Sequence, residues 1–204
     1  MAEPALGGPA ARSEASTAVV KWRRSTRGTT KVALPRAVSF AFRSLRHQFV
    51  AKTVLAAFQA ATRAEFRIVH WSIQPNHLHL IVEAQSADAL SSGMRGLAVR
   101  LARRINRLLF RRGALWADRW FGVELTSPRQ VRNALVYVLQ NHAKHSPSHR
   151  PGCDPLSSAA GFDGFATVQP GATDSRAGPT ARTWLLRIGW KRHGLIRQSE
   201  VPMH

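Results

Sequence analysis

The segment FRIVHWSIQPNHLHLIVEA, residues 66–84, decides the fold. Residues 66–73 alternate like a half-buried strand, which predicts one face holding Phe66, Ile68, His70 and Ser72. Gln74-Pro75-Asn76 predicts a turn, because proline fixes φ and cannot donate to a strand ladder. Residues 77–84 then form a second predicted strand. The segment is therefore expected to be a β-hairpin.

Helical periodicity flanks this hairpin on both sides. Ser44 is a predicted N-cap for a helix to about residue 64, with an apolar stripe at Leu45, Phe49, Leu55, Phe58 and Thr62. Ser86 is predicted to cap a helix over 87–112 that ends at Gly113, with a stripe at Leu90, Met94, Leu97, Leu101, Ile105 and Leu108. Ser127-Pro128 predicts the start of a third helix, which runs to about residue 145.

Two further strands complete the predicted order β-α-β-β-α-β-α, one at 37–43 and one within 114–125. This order predicts an α+β fold, a ferredoxin-like antiparallel sheet with helices packed on one face. Four regions are expected: a flexible basic arm at 1–36, a catalytic domain at 37–145, a loose linker at 146–181, and a short basic and apolar element at 182–204.

Composition narrows the class of protein. The 204 residues carry 30 Lys+Arg against 11 Asp+Glu, a formal charge of +19, which favours a nucleic-acid partner. No run is long and apolar enough for a membrane helix, and residues 1–18 lack the pattern of a secretory signal. A single cysteine, Cys153, excludes an internal disulfide framework. A cytoplasmic protein is expected.

His77 and His79 stand two residues apart on a predicted strand, so both imidazoles share one face. Such a pair can bind one divalent ion, although the spacing alone is a weak signal and also fits a polar pair facing solvent. Leu78, between them, is expected to face the helices. His70 is interpreted as a packing or hydrogen-bonding residue.

Tyr137, the sole tyrosine, lies on the third predicted helix. The apolar stripe there consists of Val131, Ala134, Leu135, Val138 and His142. At about 100° per residue, Tyr137 lies roughly 120° from its middle and shares a face with Asn133, Asn141 and Lys144. The position is compatible with a reactive phenol or with ordinary packing.

These motifs together resemble the HUH single-strand transposases, and more narrowly the REP-associated tyrosine transposases. The resemblance rests on PNHLHLIVEA at 75–84 followed by ALVYVLQNHAKH at 134–145. WADRWFGVELTSPRQVRNAL at 116–135 and TWLLRIGWKRHGLI at 183–196 are also similar to that branch. One departure is Arg119-Trp120-Phe121, where many relatives have Arg-Tyr-His.

The resemblance implies cleavage and rejoining of hairpin single-stranded DNA. Tyr137 would be the nucleophile that forms a 5′-phosphotyrosine, and His77, His79 and Asn141 would hold Mg²⁺ or Mn²⁺. The same family implies a bacterial DNA-bound protein acting as a monomer or as a homodimer.

Basic and aromatic side chains are the predicted DNA contacts. Phosphate-binding candidates are Arg95, Arg100, Arg103, Arg104, Arg107, Arg111, Arg119 and Lys144. Candidates for stacking on unpaired bases, or else for core packing, are Trp71, Trp116, Trp120 and Phe121.

Two alternative functions fit part of the pattern. A catalytically silent or domesticated transposase would bind hairpin DNA as a repressor without cutting it. A zinc hydrolase would use the two histidines with Glu83, the only carboxylate near them in sequence, as its base.

Overall fold

In a computed structural model the protein is an α+β fold, as predicted, described over residues 16–23, 44–117, 120–141, 154–167 and 178–200. The four strands are β1 (Ser16–Arg23), β2 (Phe66–Ile73), β3 (His77–Ala84) and β4 (Phe121–Glu124). The helices are α1 (Gln48–Ala61), α2 (Ala87–Leu108), α3 (Pro128–Leu139) and the short α4 (Trp184–Arg187), with 3₁₀ helices at Ser158–Gly161 and Gly189–His193.

The sheet is antiparallel with strand order β2-β3-β1-β4, the ferredoxin-like order. The hairpin of β2 and β3 has the predicted bounds. Its neighbour β1 lies inside the region expected to be a flexible arm, so that expectation is wrong for residues 16–23. The strand predicted at 37–43 lies outside the described residues.

Because of a β-bulge, the second half of β2 presents its side chains to the opposite faces from those predicted. Ile68 pairs with Val82 and His70 pairs with Ile81, so Val69 is an extra residue. An extra residue reverses the faces of every position that follows it. Trp71 and Ile73 consequently join the same core as Phe66 and Ile68, while His70 and Ser72 are on the other side.

Helices cover both faces of the sheet, so the prediction of helices on one face is wrong. On the first face α1 and α2 pack on Leu78, Leu80 and Val82, as expected for these residues of β3. On the second face α3 and the C-terminal segment pack on Val69 and Ile81. The third helix therefore lies against the face that carries the two histidines.

Local sequence explains where the helices begin, with one exception. Ser86 caps α2 by accepting from the Ala89 N–H, and Ser127 forms a capping box with Gln130 ahead of Pro128. The predicted cap at Ser44 is wrong, because α1 begins after His47. The predicted α1 stripe fails at Phe49, which is 55% exposed. Its buried stripe is Val50, Ala51, Val54, Ala57, Phe58 and Ala61.

The region expected to be a loose linker is packed where the structure describes it. Asp154 accepts two hydrogen bonds from the Arg46 guanidinium, at 2.8 and 2.7 Å. Phe162 and Phe165 are buried in the core beneath α3. No helix within the described residues is long and apolar enough to cross a membrane.

Candidate active site

The first two residues of β3 on the second sheet face are His77 and His79. Their Nε2 atoms lie 2.8 Å apart, and the His77 Nδ1 lies 2.7 Å from the Asn76 Oδ1. With Nδ1–H donating to that amide oxygen, the His77 Nε2 carries a lone pair and accepts from the His79 Nε2–H. The turn residue Asn76 thus orients the ring of His77, and the two Nε2 atoms lie next to each other.

Tyr137 meets this pair from α3. Its ring packs edge-on against the ring of His79, with centroids 4.8 Å apart and an interplanar angle of 78°. The stripe residues Val131, Ala134, Leu135 and Val138 are buried as predicted, whereas Tyr137 is only partly buried. The fold therefore brings the three motif residues His77, His79 and Tyr137 together on one face.

Asn141 follows one helical turn after Tyr137, just beyond the end of α3. Its side chain is 1% exposed, and its Oδ1 has no hydrogen-bond partner in the described part of the chain. A buried amide oxygen without a partner is destabilising by roughly 1–3 kcal/mol. A bound water or ion is one explanation for such an atom.

The predicted metal ligands have side chains of the types that bind divalent cations. Two neighbouring imidazole nitrogens, once the proton between them is lost, and an amide oxygen are donor types that suit Mn²⁺, or Mg²⁺ with more bound water. Among the described residues no three His, Cys, Asp or Glu side chains form a metal-binding group. A cation here would therefore need Asn141, water or substrate oxygen beyond the histidine pair.

The C-terminal segment braces α3 from its outer side, a feature that sequence analysis missed. Arg132 of α3 donates to both carboxylate oxygens of Glu200 at 2.9 and 2.7 Å, and also to the backbone oxygens of Gly194 and Leu195. Gln140 Nε2 donates to the Arg197 oxygen at 2.7 Å. Burial acts to raise the pKa of Glu200, but the hydrogen bonds from Arg132 and the Arg197 N–H outweigh it and lower the pKa.

Glu83 fastens this segment to the sheet. Its carboxylate accepts from the backbone N–H groups of Arg182 and Thr183 and from the Thr183 hydroxyl, at 2.8–3.0 Å, and pairs with Arg67 at 3.3 Å. Glu83 is 2% exposed. A carboxylate so fully engaged is unavailable as a general base, which removes the basis of the zinc-hydrolase alternative.

The predicted phosphate contacts that the structure describes lie on α2 or in the turn after it, on the other side of the sheet. A groove of about 660 Å³ runs along α2 and the turn after it, lined by Arg100, Arg103, Arg104, Arg107, Arg111 and Arg112. Arg100 also donates to the Ala60 oxygen of α1 at 2.6 Å. Arg95 is exposed outside the groove, and Arg119 and Lys144 lie outside the described residues.

The aromatic candidates separate into two groups. Trp71 is buried against Phe58, and Trp116 and Trp120 are half-buried against the core formed with α1 and α2. Phe121 is 69% exposed on the edge strand β4. Its backbone partner in β1 is also the partner of His79, so Phe121 and His79 share a face across two strand spacings, roughly 10 Å.

Residues 43–141, which contain the histidine pair and Tyr137, match the family model of IS200-like transposases. Over these residues the chain is similar to that transposase family. A solved structure of a REP-associated tyrosine transposase bound to a REP hairpin is 18% identical, with a TM-score of 0.48, covering 90% of this chain and 100% of that chain. No curated protein sequence matches the chain significantly.

Proposed function

We propose that this chain is an IS200-like transposase that binds hairpin single-stranded DNA and cleaves and rejoins it through a 5′-phosphotyrosine on Tyr137. The single observation that supports this most strongly is the packing of Tyr137 against His79, whose Nε2 in turn meets the Nε2 of His77. The proposed nucleophile and the proposed cation-binding pair come from separate elements and lie side by side, which supports metal-assisted attack on a phosphodiester.

The proposed reaction is a transesterification. The Tyr137 Oη loses its proton and bonds to the scissile phosphorus, while the bond from phosphorus to the 3′ oxygen breaks and that oxygen takes up a proton. Rejoining is the reverse attack by a 3′-hydroxyl. Because one phosphodiester is exchanged for another, no external energy source is needed.

His77, His79 and Asn141 would hold the divalent ion. When bound, Mg²⁺ or Mn²⁺ supplies charge stabilisation to the phosphate in the transition state. The chain's own part is orientation: Asn76 fixes the ring of His77, and the ring of His79 restricts the position of the Tyr137 phenol.

The DNA must contact two sides of the sheet in this proposal. The arginine groove lies beside α2 on one side, and the histidine pair and Tyr137 lie on the other. Residues 109–120 connect them and lead to Phe121, at the end of the sheet where β3 begins. We infer that the stem lies on the groove and the scissile strand passes around this end, over Phe121.

A denaturing gel with end-labelled hairpin DNA, taken from palindromes near the gene, tests the proposal. Wild type should form a covalent adduct when Mg²⁺ or Mn²⁺ is added. The double variant His77→Ala, His79→Ala should bind the DNA yet give an adduct yield that no longer responds to either ion. Binding without an adduct in wild type, across several palindromes and both ions, would instead favour the repressor function.

A further inference from the structure

The C-terminal end of α2 holds a phenylalanine in an unfavourable backbone conformation. The Arg111 N–H donates to the Asn106 oxygen at 2.9 Å and the Phe110 N–H to the Arg107 oxygen at 3.3 Å, the two bonds of a Schellman motif. Phe110 occupies the left-handed position of this motif, with φ of 49°. Gly113, predicted to end the helix, lies three residues further on with φ of 95°.

A side chain at this position lowers stability, because the left-handed conformation crowds its Cβ against the backbone. Phe110 is the only non-glycine residue with positive φ among those that the structure describes. Burial does not compensate for it, since the side chain is 75% exposed. Glycine would satisfy the same turn without strain, so the ring needs a reason other than folding.

The basic residues that flank Phe110 in sequence indicate which ligand its ring would bind. Phe110 lies in sequence between Arg107 and the pair Arg111 and Arg112, which line the arginine groove. The described lining of that groove contains six arginines and no acidic side chain. A basic groove whose lining residues flank an exposed aromatic ring in sequence has the two features that single-strand binders combine.

We propose that Phe110 is a stacking platform for an unpaired nucleobase of a DNA whose phosphates occupy the arginine groove. Base pairs inside a duplex stack on each other, so an unpaired base is the one whose face is free to stack on a protein ring. The proposed occupant is the unpaired nucleotide next to the hairpin stem. This inference deepens the proposed function, since it takes DNA as the ligand.

The test compares Phe110→Gly with Phe110→Trp, which keeps both a ring and the strained backbone. Two labelled probes share one stem: one carries two unpaired thymidines at its end, and the other is blunt. Binding is measured by fluorescence anisotropy at fixed salt. Phe110→Gly should weaken binding of the unpaired probe by about 5-fold or more and leave the blunt probe within about two-fold. Phe110→Trp should bind both probes like wild type.

Thermal unfolding is a second measurement, because a stabilising structural role of Phe110 would change the melting temperature in the opposite direction. Phe110→Gly should raise the melting temperature by about 2–4 °C, because it removes the strain at the end of α2. The inference is overturned if this variant melts lower than wild type, if it binds the unpaired probe like wild type, or if it weakens both probes equally.

The adduct assay separates this inference from the proposed function. Wild type alone is used in the adduct assay, which therefore tests cleavage without reference to Phe110. If wild type forms no adduct, the proposed cleavage fails, while the difference between the two binding probes still decides the role of Phe110.

Discussion

The substitution Glu83→Gln tests whether the C-terminal segment is fastened to the sheet as the structure describes. The carboxylate accepts from two backbone N–H groups and one hydroxyl of Arg182 and Thr183, and it pairs with Arg67. Glutamine keeps the shape but replaces one acceptor oxygen by a donor and leaves the Arg67 guanidinium, 10% exposed, without its counter-charge. Burial already lowers the pKa of Arg67, which means that its charge is poorly solvated there.

The magnitude follows from these contacts. Breaking a buried ion pair by removing one partner destabilises by about 3–5 kcal/mol. The 3.3 Å separation and the retained amide oxygen favour the lower end, so we expect a loss of about 3 kcal/mol in the free energy of unfolding. Urea unfolding at pH 7 measures it, with an unchanged denaturant slope if the native state stays compact.

Glu124→Gln is the matched control, because it removes the same charge from the exposed edge strand β4. Its effect should stay within about 0.5 kcal/mol. Adduct formation by Glu83→Gln should also slow, since the freed segment no longer braces α3 behind Tyr137. Equal stability of the two variants would refute the reasoning about this anchor.

Three further outcomes are expected. Burial lowers the pKa of His70 to about 4, so on acidification the unfolded chain binds a proton at His70 at a higher pH than the folded chain does. The free energy of unfolding should therefore fall by up to about 3 kcal/mol as the pH drops from 6.5 to 4. A His70→Gln variant with the same pH dependence in urea unfolding would contradict this. Phe121→Ala should weaken single-strand binding in anisotropy by about 5-fold or more, with stability within about 0.5 kcal/mol; unchanged affinity would exclude stacking there. Neutralising Arg103, Arg104 and Arg107 together should lower the slope of log affinity against log salt by about 2–3, and an unchanged slope would assign the phosphates to another surface.

Strong local periodicity made part of the fold predictable. The hairpin of β2 and β3 was predicted to the residue because alternation and a proline turn act locally. The bulge at Val69 was not predicted, since the composition of a strand does not indicate whether it contains an extra, unpaired residue. β1 was not predicted, because its eight residues lie between basic and glycine-rich stretches. They form a strand by pairing with β3 on one side and β4 on the other, and these partners are distant in sequence.

Part of the candidate site was likewise predictable from the sequence, and part was not. That His77 and His79 share a face follows from the two-residue period of a strand alone. The contact between Tyr137 and His79 requires α3 to cross the second sheet face, which the prediction of helices on one face did not provide. The anchor at Glu83 was unpredictable because its donors lie about a hundred residues away in the chain.

Tyr137→Phe is the most direct test of the central claim, because it removes one oxygen and keeps the ring that packs on His79. Adducts formed on hairpin DNA with Mn²⁺ would be digested with nuclease and protease and mapped by mass spectrometry. We predict a nucleotide on the Tyr137 peptide in wild type, and no adduct in the variant despite hairpin affinity within about two-fold of wild type. An adduct of undiminished yield in Tyr137→Phe, or one mapped to another residue, would contradict the account.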